Sequence, residues 1–360
     1  MKYKWKKRVG SLLLCALVLG SALPLRASAE DAVTTVAIGE DVRVASRLFE
    51  LFFGEKRSEE SKERKMLIPT GELFGIRMET DGVIVAELSP SASASGLAVG
   101  DVLLCVDGKR IESAKELPTL LSGKERVTLS VRRGHGQITL HPKLEDGALG
   151  VTVRDTVSGI GTVTYIDPDT CEFGGLGHGI ADADSGRLTP MRRGMVTDVI
   201  LGGVNRGAEG KPGELCGVLR HESKGTLTQN HACGVFGKLN AVPEGKEAIP
   251  IAYKSEVREG KAQIITTVRS GKTATFDVSL SNIDYTSNET KSFTVHVDDP
   301  ALIALTGGIV RGMSGSPIIQ DGKLVGAVTH VMVANPTEGY GIFIENMLSA
   351  AESQVQPKAA

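Results

Sequence analysis

A serine held between glycines is the first chemical signal in this chain. The stretch Gly312-Met313-Ser314-Gly315-Ser316-Pro317 precedes the short apolar run of Ile318 and Ile319. A nucleophilic serine needs such a turn, because glycine permits unusual backbone angles and leaves the attacking oxygen uncrowded. The amides of Gly312 and Ser314 could then bind the oxyanion of an acyl-transfer reaction. The alternative is a glycine- and serine-rich hairpin turn without catalytic chemistry.

A serine hydroxyl needs a base within hydrogen-bond reach, and histidine is the usual one. Two of the seven histidines stand in suitable surroundings. His178 is flanked by glycines in the stretch 173–180, which suits a base at a strand end facing an open cleft. His330 follows the run 324–329 in the strand after the serine turn, where it could instead be a strand histidine or line the substrate cleft. The glycine setting favours His178.

A carboxylate should orient the imidazole of the base. Asp299 lies fifteen residues before Ser314 and is the preferred candidate. The competing carboxylates are Asp182, Asp277 and Asp284. Asp299 also has an alternative structural role, because aspartate before proline is typical of the cap of a helix, here over the segment 301–305. The residues alone therefore predict acyl transfer by Ser314 and leave the acid open.

The elements that position these residues are predicted to be mostly strands. Glycine is abundant at 43 residues, aromatic residues make up only 4%, and short runs of Val, Ile and Thr recur along the chain. Over residues 150–346 such runs alternate with glycine-rich turns, a pattern typical of a β-barrel or a β-sandwich, and the length of roughly 200 residues would suit two packed barrels. Acyl transfer needs no cofactor. The spacing of the Cys/His cluster fits no usual zinc site, its members being Cys216, His221, His231 and Cys233.

Residues 67–144 are predicted to form a smaller domain. The run from Ser91 to Gly108 reads S-A-S-A-S-G-L-A-V-G-D-V-L-L-C-V-D-G and resembles a PDZ domain. That family binds a peptide as an added strand. The resemblance assigns the carboxylate-binding loop to Gly71-Glu72-Leu73-Phe74-Gly75-Ile76. The alternative for Phe74 and Ile76 is packing of the sheet.

The first 29 residues have the pattern of a targeting segment. Basic residues precede the apolar run Ser11–Leu23, and Ala27-Ser28-Ala29 matches a cleavage site. The run is shorter than the roughly 20 residues of a membrane span. We therefore expect either a removed signal peptide or a retained signal anchor. Residues 30–66 are predicted to be a linker with a helical segment, and residues 347–360 a polar tail.

The charge of the remaining chain limits its partners. Residues 1–29 carry six basic and no acidic side chains, so 41 Lys plus Arg fall to 35 against 43 Asp plus Glu. The net charge of the rest is therefore −8. This value excludes a generally basic nucleic-acid-binding protein.

Together these features resemble the SpoIVB family of sporulation serine peptidases. The resemblance covers residues 67–346 and includes the motifs G-I-G-T-V-T-Y-I-D-P, F-G-G-L-G-H-G-I and T-G-G-I-V-R-G-M-S-G-S-P-I-I-Q-D-G-K-L-V-G-A-V-T-H-V. It implies a chymotrypsin-like double β-barrel with Ser314 as nucleophile, His178 as base and Asp299 as acid. The oxyanion hole would consist of the amides of Gly312 and Ser314.

The resemblance also implies a cellular role. Members of the family are secreted across the forespore membrane, cleave themselves, and cleave a regulator of an intramembrane protease, which leads to the activation of a sigma factor. Two other functions stay open: a non-enzymatic PDZ adaptor with a degenerate peptidase domain, and an envelope protease of the HtrA type. The intact Ser314 and His178 argue against the adaptor. HtrA enzymes carry the PDZ domain after the catalytic domain, whereas here residues 67–144 precede the predicted peptidase domain at 150–346.

Overall fold

The computed structural model describes residues 64–134, 136–269 and 271–353. The predicted targeting segment and most of the predicted 30–66 linker lie outside the described residues. Strands dominate the described part, as the short β-branched runs predict. These strands are β1 (Met66–Pro69), β2 (Leu73–Leu88), β3 (Val102–Val106), β4 (Lys109–Arg110), β5 (Leu129–Arg133), β6 (Gly136–Leu140), β7 (Val151–Ile166), β8 (Glu172–Gly175), β9 (Met191–Asn205), β10 (Glu214–His231), β11 (Gly234–Leu239), β12 (Ile249–Pro250), β13 (Gly260–Arg269), β14 (Lys272–Ser281), β15 (Phe293–Val297), β16 (Pro317–Gln320), β17 (Lys323–Met332) and β18 (Asn335–Phe343).

The helices are short. They are α1 (Pro90–Ala94), α2 (Leu117–Leu121), α3 (Pro300–Thr306) and α4 (Ile344–Glu352). In α4 the side chains of Ile344, Met347 and Ala350 recur at helical spacing and are buried. The segment from residue 347 to 352 is thus a packed helix, which differs from the predicted polar tail. Within the described ranges, no helix has both the length and the apolar character needed to span a membrane.

The first barrel consists of six antiparallel strands. They follow the order β7-β8-β11-β10-β9-β2, and pairing between β2 and β7 closes the ring. Its interior is apolar, and the rings of Phe74 and Phe173 meet edge to face at 5.8 Å between centroids. Closure removes the exposed strand edges that would otherwise pair with other chains.

The second barrel is also a closed ring of six antiparallel strands, in the order β13-β14-β15-β18-β17-β16. Its core includes Phe293 and Phe343, whose ring centroids lie 5.1 Å apart. The two closed rings are the predicted double β-barrel.

The PDZ-like unit is inserted into the first barrel. Strands β2 and β7 pair along their length. Arg77 lies opposite Ser158 in the part of the strands that belongs to the barrel, and Val85 lies opposite Val153 in the part that extends beyond it. The outer halves of the two strands, residues 83–88 and 151–154, join β3 to β6 around a separate apolar core. The predicted order, a PDZ domain at 67–144 followed by a peptidase domain at 150–346, stays a prediction; the structure adds that the first half of β2 belongs to the first barrel. The chain enters the first barrel through the start of β2, leaves for the PDZ-like unit, and returns along β7.

Candidate active site

Ser314 lies in a glycine turn at the junction of the two barrels. Gly312 and Gly315 both adopt a φ of 97°, a left-handed conformation that favours glycine. A Cβ on Gly315 would lie 1.9 Å from the carbonyl oxygen of Thr162, which belongs to β7 of the first barrel. The turn before β16 can therefore approach β7 this closely only with glycine at position 315.

The two amides predicted to form the oxyanion hole are free to bind an oxyanion. The neighbouring amides of Met313, Gly315 and Ser316 all donate to backbone carbonyls. For the amides of Gly312 and Ser314, no acceptor is found among the described residues. Because paired neighbours hold the turn in place, these two N–H groups are preorganised donors.

The hydroxyl of Ser314 donates a 2.7 Å hydrogen bond to the carbonyl oxygen of Thr329 in β17. The loop that carries His178 packs on the same threonine, since a Cβ on Gly177 would lie 2.8 Å from the Thr329 methyl carbon. The structure therefore brings Ser314 and the His178 loop together on one residue. The Ser314 hydroxyl must leave the Thr329 carbonyl before it can donate to a base.

The imidazole of His178 is oriented by a backbone carbonyl. Its Nδ1 lies 2.9 Å from the oxygen of Gly179, and because a carbonyl only accepts, Nδ1 carries the proton and Nε2 keeps its lone pair. Burial lowers the pKa of His178 below its ordinary value, and the hydrogen bond to Gly179 opposes this effect in part. The ring is therefore neutral at pH 7, as a general base must be.

A second histidine lies against the first. The ring centroids of His178 and His330 are 4.8 Å apart, with an angle of 35° between the planes. Burial, followed by repulsion from His178 in its protonated form and from Lys291, lowers the pKa of His330 to about 4. Its Nδ1 is buried and has no partner among the described residues. His330 thus lines the site as a neutral ring, and the assignment of the base to His178 stays a prediction.

The predicted acid has a different set of contacts. The carboxylate of Asp299 caps α3 by accepting from the amides of Ala301 at 2.7 Å and Leu302 at 3.2 Å, which is the alternative role that the sequence allowed. Its contacts do not include His178. The competitors also bond elsewhere: Asp182 to Arg154 and Ser185, Asp277 to Gln263, and Asp284 to Thr286.

No carboxylate among the described residues hydrogen bonds to the ring of His178. The structure therefore does not bring Asp299 together with His178 and Ser314, and the catalytic role of Asp299 stays a prediction. In this arrangement the carbonyl of Gly179 orients the imidazole.

The predicted peptide-binding loop requires a correction. Leu73, Phe74, Gly75 and Ile76 lie in the barrel half of β2, which pairs with β7 along this stretch and, from Gly75 onward, with β9 as well. Phe74 and Ile76 are each only 2% exposed in the barrel core. Gly71 packs on the second barrel, where a Cβ would lie 2.5 Å from the oxygen of Ile265. From Gly75 onward β2 is paired on both edges and has no edge for an added peptide, and Phe74 is fixed in the core, so these two parts of the stretch pack the sheet instead.

An open groove in the PDZ-like unit lies elsewhere. A cavity of about 560 Å³ separates α2 from the outer half of β7. Its apolar lining includes Leu88, Leu117, Leu121, Val151 and Val153. Within the described residues, this part of β7 pairs with β2 on one edge and with no strand on the other. An unpaired strand edge beside apolar pockets is the geometry that binds an extended peptide.

Two contributors to the site were missed by sequence reasoning. Thr162 contacts the Ser314 turn across 150 positions of sequence, and the Thr329 carbonyl holds the serine hydroxyl. Both residues stand within the quoted motifs, yet a motif does not show which of its residues face each other. The contact between Thr162 and the serine turn, 150 positions apart, depends on the folded sheet.

Taken together, two closed six-stranded barrels define a serine peptidase of chymotrypsin-like fold, with a serine turn and a glycine-flanked histidine at their junction and a PDZ domain inserted in the first barrel. The SpoIVB peptidase S55 family model matches residues 145–348, and a PDZ domain model matches residues 73–144. The chain belongs to the SpoIVB peptidase S55 family. The predicted fold class and the predicted serine peptidase activity are thereby confirmed.

Solved structures resemble parts of the chain at low identity. The PDZ domain of an SdrC-like protein from Listeria monocytogenes is 23% identical and covers 20% of this chain and 87% of its own, with a TM-score of 0.19. The inactive form of the Rv3671c protease is 12% identical and covers 55% and 85%, with a TM-score of 0.32. The HtrA-type protease AlgW with a decapeptide is 10% identical and covers 79% and 64%, with a TM-score of 0.34. No curated protein matches the chain.

Proposed function

We propose that this peptidase is a secreted signalling endopeptidase of sporulation. It cleaves itself and a regulator of an intramembrane protease, which leads to the activation of a sigma factor. The observation that carries the peptidase chemistry is the meeting of Ser314 and the His178 loop on Thr329, beside two unpaired amides. Membership of the SpoIVB family supports the signalling role and secretion across the forespore membrane.

The reaction follows from the geometry as acyl transfer. The Ser314 hydroxyl leaves the Thr329 carbonyl, gives its proton to Nε2 of His178 and attacks the substrate carbonyl. The amides of Gly312 and Ser314 bind the oxyanion, and the imidazolium then protonates the leaving amine. Water, deprotonated by the same ring, hydrolyses the acyl ester. Because the carbonyl of Gly179 accepts from Nδ1, it stabilises the imidazolium through a neutral dipole.

The groove between α2 and β7 is the proposed binding site for extended peptide segments. A substrate segment would add to the free edge of Val151–Arg154 and place apolar side chains against Leu117 and Leu121. This assignment fits protein substrates with exposed, unfolded stretches. It replaces the predicted loop at residues 71–76.

Active-site labelling tests the peptidase chemistry. A fluorophosphonate probe should label the wild-type protein at Ser314 and should fail to label Ser314→Ala. The matched control is Ser353→Ala, which removes an exposed hydroxyl at the end of α4 and should label normally. An unlabelled wild type would support the non-enzymatic adaptor.

Product analysis and expression timing test the signalling role. N-terminal sequencing should show that the incubated wild-type protein cleaves itself and that Ser314→Ala does not. A regulator of the intramembrane protease, incubated with each protein, should likewise be cleaved by the wild type and not by Ser314→Ala. Transcript levels should rise only during sporulation. Constant expression during growth would instead favour a housekeeping envelope protease of the HtrA type.

A further inference from the structure

The direction of each oxyanion-hole amide depends on the carbonyl that shares its peptide plane. In a trans peptide the N–H and the preceding C=O point in opposite directions. The Ser314 amide therefore points away from whatever binds the oxygen of Met313, and the Gly312 amide points away from whatever binds the oxygen of Arg311. The amide of Leu215 holds the Arg311 oxygen at 2.8 Å.

A buried hydroxyl holds the plane of the Ser314 amide. The oxygen of Met313 accepts from the Ser316 amide at 2.9 Å and from the Ser316 hydroxyl at 2.7 Å. The Ser316 side chain is fully buried, so this hydroxyl has no solvent partner to exchange with. Rotation of the Met313–Ser314 plane would break both bonds and would leave the hydroxyl unsatisfied in the interior.

Thr162 holds the planes on either side. Its hydroxyl donates to the oxygen of Gly312 at 2.8 Å, and its amide donates to the oxygen of Ser314 at 2.9 Å. Both groups belong to β7, and the threonine side chain is fully buried. The carbonyls of Gly312, Met313 and Ser314 are thus all bound, and the Met313 carbonyl shares its peptide plane with the unpaired Ser314 amide.

We propose that Ser316 and Thr162 are positioning residues of the oxyanion hole. The Ser316 hydroxyl holds the peptide plane that carries the Ser314 amide, and the Thr162 hydroxyl holds the preceding plane, between Gly312 and Met313, so that the turn keeps the Gly312 and Ser314 amides facing the reacting carbonyl. Neither hydroxyl touches the substrate; each acts through the backbone of the serine turn. The inference rests on the proposed peptidase mechanism and adds the groups that keep its oxyanion hole formed.

The chain supplies a matched control for the loss of a buried hydroxyl. Thr164 lies two residues further along β7 and is buried to the same extent as Thr162. Its hydroxyl has no hydrogen-bond partner among the described residues. Thr164→Val and Thr162→Val therefore make the same chemical change on the same strand, and only the second removes a bond to the serine turn.

The experiment measures the inactivation rate kinact and the probe constant KI for fluorophosphonate labelling of the full chain. Loss of a single oxyanion-hole donor lowers rates by about 10²–10³-fold, so a misaligned donor should lower kinact at least about 10-fold. We expect this loss in Ser316→Ala and Thr162→Val with KI within about 2-fold, because the bond acts in the transition state. Thr162→Ser retains the hydroxyl and should restore most of kinact.

Melting temperatures of all variants separate positioning from folding. Thr164→Val should label at the wild-type rate. Wild-type kinact in folded Ser316→Ala and Thr162→Val would overturn the positioning role and leave the peptidase intact. Equal losses in Thr162→Ser and Thr162→Val would also overturn it, because the hydroxyl would then be irrelevant. An unlabelled wild type would overturn the peptidase mechanism and this inference with it.

Discussion

Replacing Gly315 by alanine should damage catalysis through one added methyl group. The new Cβ would lie 1.9 Å from the oxygen of Thr162 and 2.6 Å from the amide nitrogen of Leu176. Both are backbone atoms, in β7 and in the loop that leads to His178, so no side-chain rotation relieves the contact. The turn also loses the residue type that its φ of 97° favours.

The magnitude follows from the distance. Carbon and oxygen atoms in contact lie about 3.5 Å apart, so the serine turn and β7 must separate by about 1.5 Å. A misplacement of about 1 Å costs about 10²-fold in rate, because the nucleophile and the oxyanion donors leave their reactive geometry. We therefore expect kcat/KM of Gly315→Ala to fall at least about 10²-fold, equivalent to about 2.7 kcal/mol of transition-state stabilisation.

The assay compares self-cleavage and fluorophosphonate labelling of Gly315→Ala with those of Gly322→Ala. Gly322 also has a left-handed φ, of 73°, in the turn between β16 and β17, but a Cβ there meets nothing within 4 Å. Both variants carry the backbone strain of about 1 kcal/mol, and only one carries the clash. Activity of folded Gly315→Ala within about 3-fold of Gly322→Ala would refute the close approach of the two barrels at this turn.

Three further predictions address the base, the acid and the peptide groove. Because burial lowers the pKa of His178 and the neutral ring is the base, the acid limb of kcat/KM should lie below pH 6.5; a pH–rate profile with a limb above that value would contradict it. Asp299→Ala should lower the free energy of unfolding by about 1 kcal/mol in denaturant titrations, and Asp299→Asn by less, because asparagine also caps helices. A loss of kcat near 10⁴-fold in fully folded Asp299→Asn would instead make Asp299 the catalytic acid. Phe74→Ala should lower the free energy of unfolding by about 3–5 kcal/mol, because it truncates a side chain of the barrel core. An unchanged melting temperature would instead support the predicted peptide-binding role of Phe74.

Much of the fold could be predicted because its signals are local. Short β-branched runs between glycine turns indicate strands, and the run from Ser91 to Gly108 indicates the PDZ domain. The position of that domain in the fold could not be predicted in the same way. Strands β2 and β7 are 16 residues long and each serves two cores, and only their register shows where one core ends and the other begins.

The predicted peptide-binding loop at residues 71–76 shows why a local sequence pattern can indicate the wrong role for a strand. Phe74 and Ile76 alternate with small or polar residues, a pattern that suits a PDZ strand and a barrel strand equally. Pairing with β9 over Gly75 to Thr80 settles the difference, because it occupies the edge on which a peptide would add. The partner strand lies more than a hundred residues away in sequence, so no local pattern can indicate it.

The sequence by itself determined the chemistry that Ser314 and His178 offer, because each of the two motifs is local. Ser314 and its glycines are neighbours in sequence, and so are His178 and its glycines. Tertiary structure decided what surrounds them. It placed Asp299 at the start of α3, set the Gly179 carbonyl on the imidazole, and brought Thr162 onto the serine turn from 150 positions away. The physical reason is clearest for Thr162, because a hydrogen bond across 150 positions forms only when strand register and barrel closure fix the backbone that carries it.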